Sequence, residues 1–366
     1  MLANTGWYIN NFRRSTIDAF LARGDDVFVL CPENSGEAFL RDLPIILETF
    51  KLDGSGTDIF SELRSLLSIH TILKDICPDL VFSFNPKTNL YGLLACILLR
   101  IRCIPNVSGT GSASQIRGWK GFLYRVTVDL AYKRARSIFF QNEVDLDLFE
   151  KRGLLDKVPH LLLPGSGVNL SLFRPSNNYE STPFRFLLAC RLIREKGVLE
   201  YLSAAEQVIS KTDSPVEFWL AGVPDRSDRS IKDSEIKEYV DKRVVRFLGQ
   251  INDMPVTISE VDCVVLPTYY PEGVPRFLLE GAAAGKVLIT TDRPGCRTTV
   301  LEGKNGFFVL PRSVTSLVHV MEKVLALSDV EVQRMGHQSR QLAVEKFDER
   351  LVIEAYVNAA QSEPSQ

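Results

Sequence analysis

An excess of charge of either sign is what this sequence most plainly lacks: 43 Lys and Arg residues stand against 45 Asp and Glu, a formal net charge of −2. A chain so balanced has no global pull towards nucleic acid or an anionic membrane, and any such contact must come from a local patch. Histidine is scarce too, with four in 366 residues. His70, His160, His319 and His337 fall in no motif, so no histidine base is evident for proton transfer. No Cys-x-x-Cys pair occurs among the seven cysteines, Cys31, Cys77, Cys96, Cys103, Cys190, Cys263 and Cys296. An odd, scattered set inside apolar runs argues for buried thiols in a reducing cytoplasm and against a zinc site. The longest apolar run, Leu90 to Leu99, is too short to cross a bilayer, and no secretory leader, repeat or low-complexity tract is visible. The polar tail from Gln361 reads as disordered.

What is present is an apolar share of 45%, enough in a chain of this length for two domains, each with its own core. The chain is organised around one stretch. Val261 to Leu266 reads as a strand buried on both faces, and the Pro, Tyr and Gly residues after it read as a loop. A helix is predicted to start near Pro275, whose fixed φ suits a first turn, and to stop at Gly285. Glu272 and Glu280 then flank a helix N-terminus, where free amides favour an anion. Carboxylates would repel a phosphate directly, so they suit sugar hydroxyls on either side of it. A solvated helix face plus a loop acid is the plainer alternative.

The run Tyr270-Pro-Glu-Gly-Val-Pro-Arg-Phe-Leu-Leu-Glu-Gly-Ala-Ala-Ala-Gly285 resembles the donor-site motif of glycosyltransferase family 4, retaining enzymes of the GT-B fold. It is most similar to bacterial transferases of cell-surface polysaccharide and lipid-linked oligosaccharide assembly. The resemblance spans Asn4 to about Val357, and its specificity lies in the order of several motifs. Phe184 to Ala189 reads as a strand, followed by Cys190-Arg-Leu-Ile-Arg-Glu-Lys-Gly197. In the family the equivalents of Arg191 and Lys196 bind the donor diphosphate, so both are implied catalytic residues together with Glu272. Such cations stabilise the negative charge that builds on the leaving phosphate, Arg as a two-pronged donor and Lys as a point charge. Donor binding is further implied for Glu280 on the ribose hydroxyls, for Gly273, Val274, Pro275 and Arg276, for Gly6, and for Gly249 near the base. Phe218 to Gly222 and Val244 to Gly249 read as strands. Pro294-Gly295 and Asn305-Gly306 match further turns, while Thr298 and Thr299 stand where relatives carry a glutamate.

In the amino-terminal half, Asn4-Thr5-Gly6 reads as the end of a strand and a turn, with a helix over Asn11 to Arg23 and a strand over Val27 to Leu30. The family carries an apolar strand before that turn. Only Leu2 and Ala3 remain here, so the expectation is a first strand truncated by a start placed downstream of the true one, and a sheet that folds poorly without its middle. Asn4, Arg13, Lys87 and Asn89 are implied acceptor-side residues, Lys87 and Asn89 by the segment Lys87-Thr-Asn-Leu-Tyr-Gly92 after a strand over Asp79 to Phe84. An exposed lysine and a capping asparagine would explain the last pair equally well. Between Arg100 and Arg136 eight basic residues oppose Asp129 alone, with Trp119, Phe122, Tyr124 and Tyr132 interleaved. Such a helix suits an anionic membrane surface, or simply a basic solvent face. The Gly-rich Asn106-Val-Ser-Gly-Thr-Gly111 resembles a loop of relatives.

The resemblance implies an α/β chain of two Rossmann-like, doubly wound domains facing a cleft. Residues 1–168 form the acceptor side, with a helix at about 345–362 packing back onto it, and residues 169–344 bind the nucleotide sugar. A single last helix is expected around Gln333 to Ala359. The implied reaction moves a sugar, N-acetylhexosamine or hexose, from a UDP-sugar to a lipid-linked saccharide, with retention and without metal or other cofactor. Nucleic acid is not an expected partner. The expected place is the cytoplasm, at the inner face of the membrane. A UDP-sugar epimerase of the same fold and a non-catalytic nucleotide-sugar-binding subunit are the alternatives.

Overall fold

A computed structural model describes residues 1–52, 59–109, 118–175, 182–225, 229–271 and 273–361. Backbone contacts divide the chain into two units, Met1–Ser166 with Arg350–Gln366, and Gly167–Glu349.

In the first unit the strands are β1 (Phe28–Pro32), β2 (Ile46–Phe50), β3 (Leu80–Phe84), β4 (Arg102–Val107), β5 (Ile138–Phe140) and β6 (His160–Leu162). They alternate with α1 (Gly6–Ala22), α2 (Ile59–Ile76), α3 (Pro86–Leu99), α4 (Gly118–Tyr132) and α5 (Glu143–Lys151). Parallel ladders run β1-β2 and β3-β4-β5-β6, the pairing that helical crossovers impose. Leu2 joins the two, bridging Leu30 on one side and Ser83 on the other. The Leu2 N–H donates to Phe82 O at 2.8 Å, and Leu2 O accepts from the Phe84 N–H at 2.9 Å. Leu30 N–H reaches Met1 O at 2.8 Å on the opposite flank. The expected truncated first strand is present as an isolated bridge at Leu2, with the two ladders counted as separate sheets on either side of it. Three residues suffice to exchange ladder bonds with both neighbours, and Leu2 is buried in the core beneath α3.

α1 also begins five residues before the predicted Asn11, because Thr5 caps it: its hydroxyl accepts from the Tyr8 N–H at 3.0 Å. β2 was not legible in the sequence, and its side chains are mostly half-exposed or exposed.

The second unit contains β7 (Phe184–Ala189), β8 (Val216–Ala221), β9 (Arg246–Gly249), β10 (Cys263–Leu266), β11 (Val287–Thr291) and β12 (Gly306–Val309). They form one parallel sheet in the order β12-β11-β10-β7-β8-β9. Its helices are α6 (Val198–Ile209), α7 (Asp233–Asp241), α8 (Met254–Ser259), α9 (Arg276–Ala283), α10 (Pro294–Arg297), α11 (Val314–Leu325) and α12 (Asp329–Lys346). β10 and β11 are buried at every position, as their unbroken apolar sequences predict for strands covered on both faces. The central β10 and β7 run side by side, so the loops after them open at the same sheet edge, where such folds bind ligands.

The predicted last helix is two. α12 ends at Lys346 and α13 spans Glu349–Gln361. Between them Phe347 is buried and Asp348 pairs with Val168: the Val168 N–H donates to Phe347 O at 2.8 Å, and the Glu349 N–H to Val168 O at 3.1 Å. Those bonds satisfy backbone groups that a continuous helix would have paired internally. α13 then places Val352 and Tyr356 in the first unit's core. Among the described residues no helix is long and apolar enough to cross a membrane. None of the seven cysteines is in a disulfide, and five are buried.

Candidate active site

The loop after β7 and the loop after β10 are tied together. A tight turn, Arg194–Lys196, presents the carbonyl of Glu195, which accepts from the Tyr269 N–H at 2.8 Å, the Tyr270 N–H at 3.1 Å and the Thr268 hydroxyl at 3.1 Å. Gly197 closes that turn at φ +77°, and a Cβ there would sit 2.4 Å from Pro267 O. Only glycine permits so close an approach in that conformation.

This staple sets three cations around one aromatic ring. Arg191, Lys196 and Arg229 lie 5.8, 5.6 and 5.9 Å from the centre of the Tyr270 ring. Arg191 donates to Asp225 at 3.0 Å, and Arg229 lies 3.8 Å from the Glu195 carboxylate. On the neighbouring Tyr269, Arg312 sits 4.5 Å from the ring centre and Arg293 donates to the backbone carbonyl at 3.4 Å. An aromatic face holds a cation in place and leaves its N–H groups able to meet an anion. Glu272 lies outside the described residues; it follows Tyr270 by two positions in sequence.

α9 starts at Arg276 behind Pro275, which serves as its N-cap rather than its first helical residue, and Gly285 follows its end at φ +69°. Glu280, one turn into the helix, is inward-facing and accepts from Arg276 at 2.9 Å. Burial pushes its carboxyl pKa up, and the Arg276 guanidinium opposes that rise. Pro275 is buried, while Gly273, Val274 and Arg276 are half-buried. Gly249 holds φ +63° at the end of β9, and its carbonyl accepts from the Gly222 N–H at 2.8 Å.

The first unit turns most of its motif residues inward. Gly6 donates its N–H to Ser35 Oγ at 2.9 Å, and a Cβ on it would lie 2.6 Å from the Glu37 nitrogen. Its small size lets α1 pack against the following turn. Arg13 is 1% exposed, with its guanidinium 5.0 Å from the Phe84 ring, 5.3 Å from Tyr356 and 5.8 Å from Tyr8. Asn89 is buried and donates to Asn106 O at 2.8 Å, and Asn106 in turn donates to the Tyr356 hydroxyl at 2.5 Å and accepts from Gln141 at 3.0 Å. Lys87 pairs with Glu62 at 2.7 Å, and Asn4, exposed, donates its N–H to the side-chain oxygen of Asn85 at 3.3 Å. Beside them a cavity of about 280 Å³ opens between α3, α4 and α5, lined by Asn89, Tyr124, Arg125, Tyr132, Phe149 and Arg152 among others.

The model of the family described as "Glycosyl transferases group 1" matches residues 171–342, and that of "Glycosyl transferase 4-like domain" matches residues 9–165. The chain belongs to the glycosyltransferases. This glycosyltransferase is 26% identical to N,N'-diacetylbacillosaminyl-diphospho-undecaprenol alpha-1,3-N-acetylgalactosaminyltransferase of Campylobacter jejuni, over 97% of this chain and 96% of that one. It is 23% identical to UDP-Gal:alpha-D-GlcNAc-diphosphoundecaprenol alpha-1,3-galactosyltransferase of Escherichia coli, over 73% of this chain and 71% of that one. A crystal structure of Anabaena Alr3699/HepE in complex with UDP and glucose shares its fold at a TM-score of 0.80 and 18% identity, covering 99% of both chains.

In this transferase the sequence motifs single out Arg191 and Lys196 but miss Arg229, Arg312 and the role of the two tyrosines. Arg229 stands in the polar run Asp228-Arg-Ser230, which has no spacing signal. Only the fold of the loop after β8 brings it to Tyr270.

Proposed function

We propose that this glycosyltransferase moves a sugar, an N-acetylhexosamine or hexose, from a UDP-sugar to a hydroxyl of a lipid-linked saccharide in bacterial surface-polysaccharide assembly. Three cations around Tyr270, on the loop that leads to Glu272, carry the reading. A diphosphate drawn to that cluster would exchange the carboxylates of Asp225 and Glu195 for its own oxygens on Arg191 and Arg229. As the anomeric carbon departs, the β-phosphate gains charge, and Arg191 and Lys196 stabilise it from fixed positions. Glu272 holds the sugar hydroxyls, the backbone of Gly273, Val274 and Pro275 meets the donor at the start of α9, and Glu280, bonded to Arg276, holds the ribose. Charge stabilisation by these groups asks for no metal. Retention follows from a same-face reaction in which the leaving phosphate oxygen takes the acceptor's proton, so no side-chain base is required.

The acceptor side falls to the first unit, with Asn4 and Lys87 exposed enough to reach a ligand. Arg13, buried among three aromatic rings, acts there by shaping the unit's interior, and Asn89 lines the cavity between α3, α4 and α5. The relatives named for undecaprenol-linked substrates support a lipid-linked acceptor. An enzyme that uses one works at the inner face of the cytoplasmic membrane, in peripheral contact with it.

The test offers purified protein a mixture of UDP-sugars and undecaprenyl-diphosphate saccharides in the presence of EDTA, with product identified by mass spectrometry. An acceptor heavier by one sugar, with UDP released and an α-linkage from an α-donor, is the expected result. A new UDP-sugar formed without acceptor would replace the reading by epimerisation.

A further inference from the structure

At the amino ends of β4 and β5, opposite the edge that carries the motifs, four arginines ring one cavity. Arg100, Arg102, Arg134 and Arg136 line a space of about 420 Å³ whose floor is apolar: Leu93, Cys96, Ile97, Ile101 and Cys103. Arg102 is anchored through a hydrogen bond of 3.0 Å to Asp79 O. Arg100 and Arg134 are exposed, and no carboxylate pairs with either among the described residues. Four guanidinium groups around one space repel each other, and an anion between them removes that repulsion. Arg100 also caps α3 at φ +58°, a left-handed position that glycine takes without strain. An arginine kept there supplies a side chain at a backbone cost.

Exposed apolar side chains stand close in sequence to the cavity's lining residues. Leu98, two residues before Arg100, is 71% exposed, and Leu130 on α4 is 62% exposed. Leu130 ends a row with Phe122, 65% exposed, and Val126, set four residues apart on one face of α4, and the row leads to Lys133 and Arg134. Side chains four apart lie on one helical face.

We propose that this cavity binds the phosphate head group of an anionic bilayer lipid, with Phe122, Val126, Leu130 and Leu98 inserted at the interface around it. The inference rests on the peripheral-membrane part of the function proposed above and names its anchoring site. Charge complementarity selects the occupant: arginine forks match phosphate oxygens in pairs, and exposed apolar side chains beside them fit a lipid surface rather than a soluble anion. The site is separate from the residues assigned to donor or acceptor.

Co-sedimentation with vesicles tests it without donor or acceptor. The wild type should bind phosphatidylcholine vesicles containing phosphatidylglycerol and not phosphatidylcholine alone, and binding should fall with salt. Arg100→Gln/Arg134→Gln should bind the anionic vesicles on the order of tenfold to thirtyfold more weakly, each basic residue near such a surface counting for roughly a factor of three to five. Leu98→Ser/Leu130→Ser should also weaken binding while retaining its dependence on anionic lipid. Thermal melting checks that each variant folds, and both should keep wild-type turnover on a short-chain, soluble acceptor. Unchanged vesicle binding by the arginine variant overturns the proposal. So does equal binding to neutral vesicles, or calorimetric binding of inorganic phosphate with no vesicle binding. Arginine-dependent vesicle binding by a protein that transfers no sugar would uphold this site and count against the proposed reaction alone.

Discussion

Arg191 and Arg229 face the same tyrosine ring from different loops and are held by different carboxylates, so their contributions can be separated by substitution. Arg191→Ala removes a fixed donor to the leaving phosphate and should lower kcat/KM by about 10²- to 10³-fold, the range for loss of one preorganised transition-state donor. Arg229→Ala should act mainly on ground-state affinity, raising the UDP Kd measured by calorimetry with a smaller effect on kcat. Near-normal turnover in the Arg191 variant would put the diphosphate elsewhere. Lys286 offers a residue-scale prediction about stability. It is buried behind α9, donates to Ser259 O at 3.2 Å, and burial lowers its pKa from 10.5 to about 8, against an opposing pull from Asp262. Between about pH 8 and 10.5 the unfolded chain therefore binds the proton that the folded chain has released, and stability must rise with pH across that window. Urea midpoints of the wild type should show this rise after subtraction of the same series for Lys286→Met, which lacks the group. A flat difference would mean that the ammonium is solvated.

At the level of elements, the diphosphate cluster exists because two loops are stapled at Glu195, and the staple requires Gly197. Gly197→Ala places a Cβ against Pro267 O at a positive φ, so the turn must move away from the Thr268–Tyr270 loop. The cost should be on the order of 1–3 kcal/mol in unfolding experiments, as for other strained backbone positions, and UDP affinity should fall because Lys196 moves with the turn. A variant that melts like the wild type and binds UDP equally well would show that the close approach is not needed. These elements also mark where sequence stops being informative. β10 and α9 were legible because their apolar runs end in proline or glycine, which carry their own geometry, and β7 because an apolar run follows Pro183. The break between α12 and α13 has neither residue; it comes from Asp348 pairing with Val168, a partner some 180 positions away in the chain. Arg13 and Asn89 read as ligand-facing polar residues, yet both are buried, because a motif gives a residue's place on an element and not the direction of its side chain. Arg229 shows the converse, a cation with no motif that tertiary folding alone brings to the site.

At the scale of the molecule, the two units differ in how self-sufficient they are. The core of the second unit, from Val168 to Phe347, is built from its own residues. The cores of the first draw Val352 and Tyr356 from the far end of the chain, so that unit is not one continuous segment. Arg191, Lys196, Arg229, Tyr270, Glu280 and Arg312 all belong to Gly167–Glu349. A chain of residues 167–349 should therefore fold alone, with a cooperative melt, and bind UDP with a Kd within about tenfold of the full protein. Saturation at 100 times Kd should then stabilise it by about 2.7 kcal/mol, the amount mass action gives for a ligand of the native state. Transfer to acceptor should vanish, since the exposed Asn4 and the half-buried Lys87 are gone. Of the residues first assigned to the donor, Gly6 alone lies outside the fragment, and its N–H is already committed to Ser35. A fragment that folds yet fails to bind UDP would therefore show that the first unit supplies part of the donor site, with Gly6 the place to look.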